Sequence, residues 1–335
     1  MEIEGKKVFL TGGAGFIGSH LAARFLKEGA SEVVVYDNLS TGDQVFLKDL
    51  DVSFIEGDIL NYEDVKKAMK GCEIVSHHAA ELEVFHGIEN SVHELLVNTQ
   101  GTLHILNAAM RNDVELVEYA SSGGVYGQAQ SIPEPIDHPL MPHWPYGVSK
   151  LAGEKYATQY TLLYNLKTIS FRYGIVFGPH EWYGRVLTLF IKRLLEGKAP
   201  VIFGEGTQRR DFVYVEDVVE ANMLGILQHT EEINGRAFNV GGISHVNVKQ
   251  IAQVVIDVFG AEIEPLFDDP KPGEASKYQP NRKRLPGELI DFILDNQETT
   301  KALGYEPQID LKTGVEKEVA WIKENPDLWN YAPRV

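Results

Sequence analysis

Apolar positions fall into short runs separated by amphipathic stretches from the start of the chain. Val8-Phe9-Leu10, Val33-Val34-Val35-Tyr36 and the segments 52–55, 73–76, 116–120 and 168–172 read as strands. Between them, 15–28, 62–70, 89–111 and 146–164 carry helical spacing. Strand and helix in alternation predict an α/β fold, a doubly wound parallel sheet covered on both faces. After Arg172 the rhythm loosens, with Gly174, Gly178, Pro179 and Gly184 in quick succession. Helices are expected at 185–196, 218–228, 248–259, 296–303 and 311–323, with a strand at Val201-Ile202-Phe203 and a Pro-rich stretch at 265–286. The break predicts a nucleotide-binding domain over 1–174 and a smaller α/β substrate lobe over 175–335. Segments near 204–240 are left open to return to the first sheet.

Composition is ordinary for a globular chain, so the charge is the informative part. Thirty-one basic against 48 acidic side chains give a net charge of -17. That balance repels a nucleic-acid backbone or an anionic membrane at long range and argues against both as partners. Cys72 is the single cysteine, which rules out an internal disulfide and a thiol-built zinc site. The chain reads as metal-free and suited to a reducing compartment. The first residues lack a basic-then-apolar signal and no apolar run approaches a membrane span, so a cytoplasmic protein is expected. The cations concentrate late, with Arg209-Arg210 adjacent and Lys271, Lys277, Arg282, Lys283 and Arg284 in one stretch. Such runs are usually a solvated face, and the sharper alternative is an anion site inside an acidic protein.

The first strand runs into Thr11-Gly12-Gly13-Ala14-Gly15-Phe16-Ile17-Gly18, where a helix opens. Gly12 permits the tight turn, Gly15 lets backbone approach a pyrophosphate, and Gly18 lets helix and strand pack closely. Free N–H groups at the helix start favour the phosphates. Asp37 ends the second strand about 20 residues on, the place for an acid that bonds ribose hydroxyls. Its carboxylate would repel a 2′-phosphate, and Asn38-Leu39-Ser40-Thr41-Gly42 offers no arginine to offset it, so NAD is favoured over NADP. A second constellation is Tyr146-Gly147-Val148-Ser149-Lys150. Four residues apart on a helix, the phenol and the ammonium share a face. A free tyrosine has a pKa of about 10, and a nearby cation is expected to shift it toward phenolate, a usable base. Ser121-Ser122-Gly123-Gly124 ends the preceding strand, where ligands of doubly wound sheets bind.

Together with Gly57-Asp58-Ile59, His78-Ala79-Ala80, Val97-Asn98 and Gly101-Thr102, these motifs resemble the extended short-chain dehydrogenase/reductases. The likeness is greatest to their NAD-dependent nucleotide-sugar epimerases and dehydratases and runs over nearly the whole chain, through Arg210-Asp211-Phe212-Val213-Tyr214 and 295–305. The resemblance implies a Rossmann-type domain with Tyr146 as base, Lys150 as its electrostatic partner and ribose ligand, and Ser122 as hydroxyl donor to the reacting oxygen. NAD would be held by Gly12, Gly15, Phe16, Ile17, Gly18, Asp37, Asn38, Ser40, Thr41, Gly42, Asp58, Ile59, His78, Ala79, Ala80, Asn98, Tyr146 and Lys150. A nucleotide sugar, most simply a UDP-sugar, would meet Ser122, Arg185, Phe203, Arg210, Arg284 and Phe292. Arg210 matches the arginine on the pyrophosphate, Phe203 a position beside the base that equally suits a core phenylalanine, and Phe292 a position that gates the sugar substituent. A homodimer built on helices 89–111 and 146–164 is implied as well.

Within that family, dehydratases carry an acid pair after the serine or threonine, and decarboxylases a glutamate. This chain has Gly123-Gly124. Oxidation at C4 to a 4-keto sugar and re-reduction on the opposite face, a 4-epimerisation, is the expected chemistry. Alternatives are an NAD-dependent dehydrogenase of a sugar or small alcohol, another nucleotide-sugar-modifying enzyme of the same type, and a silent NAD-binding scaffold. Three departures stand out: Ile175 and Arg185 replace family asparagines, and Leu285 takes the place of a late arginine beside Arg284. The diphosphate grip is then rebuilt through Arg185, Arg282 or Arg284, or the substrate is not a UDP-sugar. His77 and His78 read as packing, Glu81, Glu83 and His86 as a loop bordering the sugar, and His180-Glu181-Trp182-Tyr183 as a lid or packing insertion.

Overall fold

The protein is described by a computed structural model over residues 1–181 and 184–329; Trp182 and Tyr183 of the aromatic insertion lie outside the described residues. The strands are β1 (Lys7–Thr11), β2 (Glu32–Asp37), β3 (Ser53–Glu56), β4 (Ile74–His77), β5 (Leu116–Ser122), β6 (Thr168–Tyr173), β7 (Ile175–Phe177), β8 (Val201–Phe203), β9 (Arg209–Tyr214), β10 (Ala237–Val240), β11 (Ser244–Asn247), β12 (Leu266–Asp268) and β13 (Asp291–Phe292). The helices are α1 (Phe16–Lys27), α2 (Tyr62–Ala68), α3 (Val84–Glu89), α4 (Ser91–Leu95), α5 (Thr102–Arg111), α6 (Pro145–Tyr164), α7 (Val186–Leu195), α8 (Val215–Leu227), α9 (Val248–Phe259), α10 (Gln297–Leu303), α11 (Leu311–Glu324) and α12 (Pro326–Trp329).

Seven parallel strands make the large sheet, in the order β3-β2-β1-β4-β5-β6-β10. This is the Rossmann-type arrangement, with β1 central and chain order reversing between β1 and β4. Helices cover both faces, which explains the unbroken apolar runs. Val8 and Leu10 of β1 pack with Leu21 and Phe25 of α1 and Val218 of α8, while Phe9 between them packs with Tyr36, Val65 and Ile105 on the other side. The seventh strand, β10, comes from the later half of the chain and pairs with β6 from Ala237 opposite Ser170 to Val240 opposite Tyr173. A second sheet gathers β7, β11 and β13 around β9, and β8 pairs with β12.

The segment expected as one helix over 89–111 is broken into α4, a π-helical turn (Leu96–Gly101) and α5. The wide turn frees Asn98, whose Nδ2 donates to Glu81 O (2.8 Å) and Ser149 Oγ (3.1 Å) and whose Oδ1 accepts from Glu81 N (2.8 Å). The expected loop ahead of it holds α3: Glu83 caps this short helix by accepting from Phe85 N, and His86 lies within it.

Helix α6 is fastened to the sheet by a buried ion pair. Arg172 on β6 donates from Nη2 to Glu154 Oε1 (2.7 Å) and from Nε to Oε2 (2.9 Å), and both side chains are nearly solvent-free. Ser121 Oγ adds a bond to Glu154, and Arg172 Nη1 reaches Tyr126 Oη and Ile136 O. Tyr126 in turn donates to Asn239 of β10. Removing one partner of such a pair leaves the other charge buried and uncompensated. Glu154→Ala is therefore expected to lower the free energy of unfolding by about 3–5 kcal/mol, measured by equilibrium denaturation, and a loss below about 1 kcal/mol would show that the pair is not holding the helix.

Candidate active site

One cavity of about 660 Å³ runs along the carboxyl ends of the parallel strands. Its wall includes Gly12, Gly15, Phe16, Ile17, Gly18, Asp37, Asn38, Ser40, Thr41, Asp58, Ile59, His78, Ala79 and Ala80 at one end. Ser122, Tyr146, Lys150, Arg185, Phe203, Arg210 and Phe292 continue it toward the other. Gly42, Asn98 and Arg284 lie off this wall.

The glycine turn shows why its residues are small. Gly12 has φ of +68°, and a Cβ there would stand 2.7 Å from Ala79 N; a Cβ at Gly18 would overlap Gly12 O. Helix α1 makes its first backbone bond from Ser19 N to Gly15 O (3.0 Å), so the amides before it are at the open end of the helix dipole. Thr11 Oγ1 ties β1 to β4 through His77 Nδ1 (2.7 Å) and the amides of His78 and Ala79. Asp37 is buried at the end of β2, with its carboxylate accepting from Ala14 N (3.0 Å) and Leu39 N (2.8 Å). Burial pushes its pKa above the usual carboxylate value, and the two amides pull it back. Asn38 Nδ2 donates to Asp58 Oδ2 (3.3 Å), joining two polar groups of the wall. Gly42 packs on Ala14 instead of facing the cavity.

Ser122, Tyr146 and Lys150 are brought together from β5 and α6. Ser122 closes β5, and its Oγ accepts from Gly124 N (3.1 Å). Trp144 sits in extended backbone just before α6 and Pro145 takes its first position, where a missing N–H costs nothing. Trp144 Nε1 donates to Pro286 O (2.8 Å) and pins that helix start to the late loop. Lys150 is buried one turn after Tyr146, with Nζ 4.7 Å from the Tyr119 ring centroid. Burial lowers the Lys150 pKa to about 7, with the Glu94 carboxylate opposing the fall. The expected lowering of Tyr146 is not met in the protein alone. Burial raises the phenol, outweighing the Ser122 hydrogen bond and the Arg185 charge that pull it down.

The outer end of the cavity differs most from expectation. Arg210 stands on the wall with Nη2 3.5 Å from Glu288 Oε1. Arg284 is turned away, donating to Asp269, Pro270 O and Glu288, while Arg282 and Lys283 face the cavity and Arg282 donates to Gly184 O. Arg185 sits at the start of α7, donating to Glu181 Oε1 (3.1 Å) and Val176 O (3.2 Å). Phe292 both lines the cavity and packs with Val125, Leu289 and Leu294. A Cβ at Gly123 would come within 2.5 Å of its ring, so the pair Gly123 and Phe292 is one steric unit. Leu285 and Gln208 also border the space, and sequence reasoning carried no signal for Gln208, a lone polar residue in a loop.

Residues 8–241 match the family model described as the NAD dependent epimerase/dehydratase family. The chain belongs to that family. A UDP-glucose 4-epimerase of Mycolicibacterium smegmatis is 32% identical over 95% of this chain and 98% of its own length. Among solved structures, the Thermotoga maritima UDP-glucose 4-epimerase with UDP-glucose has a TM-score of 0.86 at 30% identity, covering 96% of this chain and 99% of its own. The Thermus thermophilus UDP-glucose 4-epimerase in complex with NAD has a TM-score of 0.82 at 31% identity, covering 95% and 99%.

The protein is thus an NAD-dependent enzyme of the epimerase/dehydratase family, and its own residues fit that cofactor. The glycine turn leaves a cradle that a single Cβ would fill, the open end of α1 faces it, and Asp37 stands where a 2′-phosphate would be repelled. No helix among the described residues is long and apolar enough to cross a membrane.

Proposed function

We propose that the protein is a nucleotide-sugar 4-epimerase acting on a UDP-sugar, by oxidation at C4 to a 4-keto sugar and re-reduction on the opposite face. The observation that carries this reading is the wall where Ser122, Tyr146 and Lys150 meet, closed on its next side by Gly123 against the Phe292 ring. A dehydratase needs an acid pair there to expel water; this chain has glycine at both places, and the Phe292 ring occupies the space a side chain at 123 would need. NAD, when bound along Gly12 to Gly18 and Asp37, supplies reversible hydride acceptance. Tyr146 takes the proton of the C4 hydroxyl and returns it, Ser122 hydrogen-bonds the reacting oxygen, and Lys150 steadies the phenolate. Burial raises the Tyr146 phenol, and positive charge arriving with the ligands would act in the opposite direction. Arg210, with Arg282 and Lys283 nearby, faces the end of the cavity where a diphosphate would lie, a task suited to fixed guanidinium donors.

The apolar residues Val92 and Leu95 on α4 and Val148, Tyr156 and Leu163 on α6 are exposed, a patch whose covering by a second copy would make a homodimer. Sedimentation equilibrium should return twice the chain mass, and a single-chain mass at micromolar concentration would contradict the dimer. For the chemistry, Tyr146→Phe should cut turnover of a UDP-hexose by about 10²–10⁴-fold with the fold intact by circular dichroism. Unchanged turnover would remove Tyr146 from the mechanism.

A further inference from the structure

Behind the Tyr146 and Lys150 pair lies an acid that the reaction scheme leaves unused. Glu94, on α4, is 1% exposed. Ser149, the residue before Lys150, places its Oγ 3.0 Å from Glu94 Oε1, 2.9 Å from the Tyr146 carbonyl and 3.1 Å from Asn98 Nδ2. Glu94 Oε2 is buried without a hydrogen-bond partner among the described residues. A carboxylate oxygen left so in a protein interior is costly unless a positive charge compensates it. Lys150, on the adjoining turn of α6, has the complementary need, since its ammonium is buried over an aromatic ring.

The backbone around Glu94 is cut to hold the carboxylate there. A Cβ at Gly87 of α3 would overlap Glu94 Oε2, so any side chain at 87 would drive the carboxylate from its seat. Burial raises the Glu94 pKa and the Ser149 hydrogen bond pulls it back; Glu81 adds to the rise, while His86 and Lys150 favour the carboxylate. Burial holds His77 and His78 neutral, so neither adds a competing positive charge beside Lys150.

We infer that Glu94 is a positioning residue for the Tyr146 and Lys150 pair: its buried carboxylate, seated over Gly87 and bridged through Ser149 to the Tyr146 carbonyl, is the counter-charge to the buried Lys150. The inference rests on the reading of Tyr146 and Lys150 as the acid–base pair. Burial alone drives Lys150 toward the neutral amine near pH 7, and Glu94 is the group that works against it. Glu94 also raises the Tyr146 phenol directly, so its contribution to the pair runs through Lys150 and the Ser149 bridge.

Lys150 can be read directly, without substrate, by following the pH titration of its 13Cε resonance in lysine-labelled, NAD-loaded protein, the signal assigned by its loss in Lys150→Met. Glu94→Gln keeps an acceptor for Ser149 and removes the charge, so the Lys150 midpoint should fall by about one pH unit. Glu94→Asp should keep it near the wild-type value. Should Glu94→Gln fail to fold, Gly87→Ala tests the same point, because the displaced carboxylate should move the midpoint in the same direction. An unchanged Lys150 midpoint in Glu94→Gln, or in Gly87→Ala where Glu94→Gln does not fold, would overturn the inference. Failure of the epimerase reading would show separately, as UDP-hexose turnover indifferent to Tyr146→Phe.

Discussion

The buried pair of Arg172 and Glu154 is the constraint on which the site geometry depends. Helix α6 brings both Tyr146 and Lys150, and Ser122 arrives on β5, so the three side chains meet only if that helix keeps a fixed height over the sheet. Glu154 lies one turn beyond Lys150, and its carboxylate is held by Arg172 of β6 and by Ser121, the residue before Ser122. A charge pair out of water is a poor source of net stability and a good source of register, since any slip of the helix would strand two charges. The same network reaches β10 through Tyr126 and Asn239, whose Nδ2 donates to Glu134 O and Asp295 O. The later half of the chain is thereby tied to the strand end that carries the chemistry.

Burial has opposite consequences for the two groups that α6 presents. It raises the Tyr146 phenol and lowers the Lys150 ammonium, each toward its neutral form. Positive charge brought by a ligand would oppose the rise of the phenol, as the Arg185 charge already does. On the proposed function, the groups that would meet anions are local: the open end of α1 for the cofactor diphosphate and Arg210, Arg282 and Lys283 for that of the substrate. The cavity wall itself mixes acids such as Asp37, Asp58 and Glu288 with Arg210, Arg282 and Lys283, so the net charge of -17 does not preclude local cation clusters.

What the sequence made legible follows from which residues act through their type and spacing. The glycine turn, Asp37 and the Tyr146 to Lys150 step are local patterns, each dictated by backbone geometry or one helical turn, and the cavity wall gathers them. Contacts set by the return of distant segments left no such trace. Phe292 fills the space beside Gly123 only because β13 comes back to β9, and Arg284 turns toward Asp269 through a loop whose path no periodicity reports. The π-helical turn at Asn98 carries a helical pattern in its residues, so one continuous helix was the natural expectation. Glu94 looked like any helical acid, because nothing in its neighbours along the chain reveals that Ser149 and Gly87 close around it.

The central claim is that hydride leaves and returns to the same carbon within one binding event. It is tested most directly with UDP-glucose carrying deuterium at C4 of the sugar, followed by mass spectrometry and NMR of both epimers after many turnovers in ordinary water. The deuterium is expected to remain at C4 in substrate and product alike. Label lost to solvent, or recovered on NADH released from the protein, would contradict it.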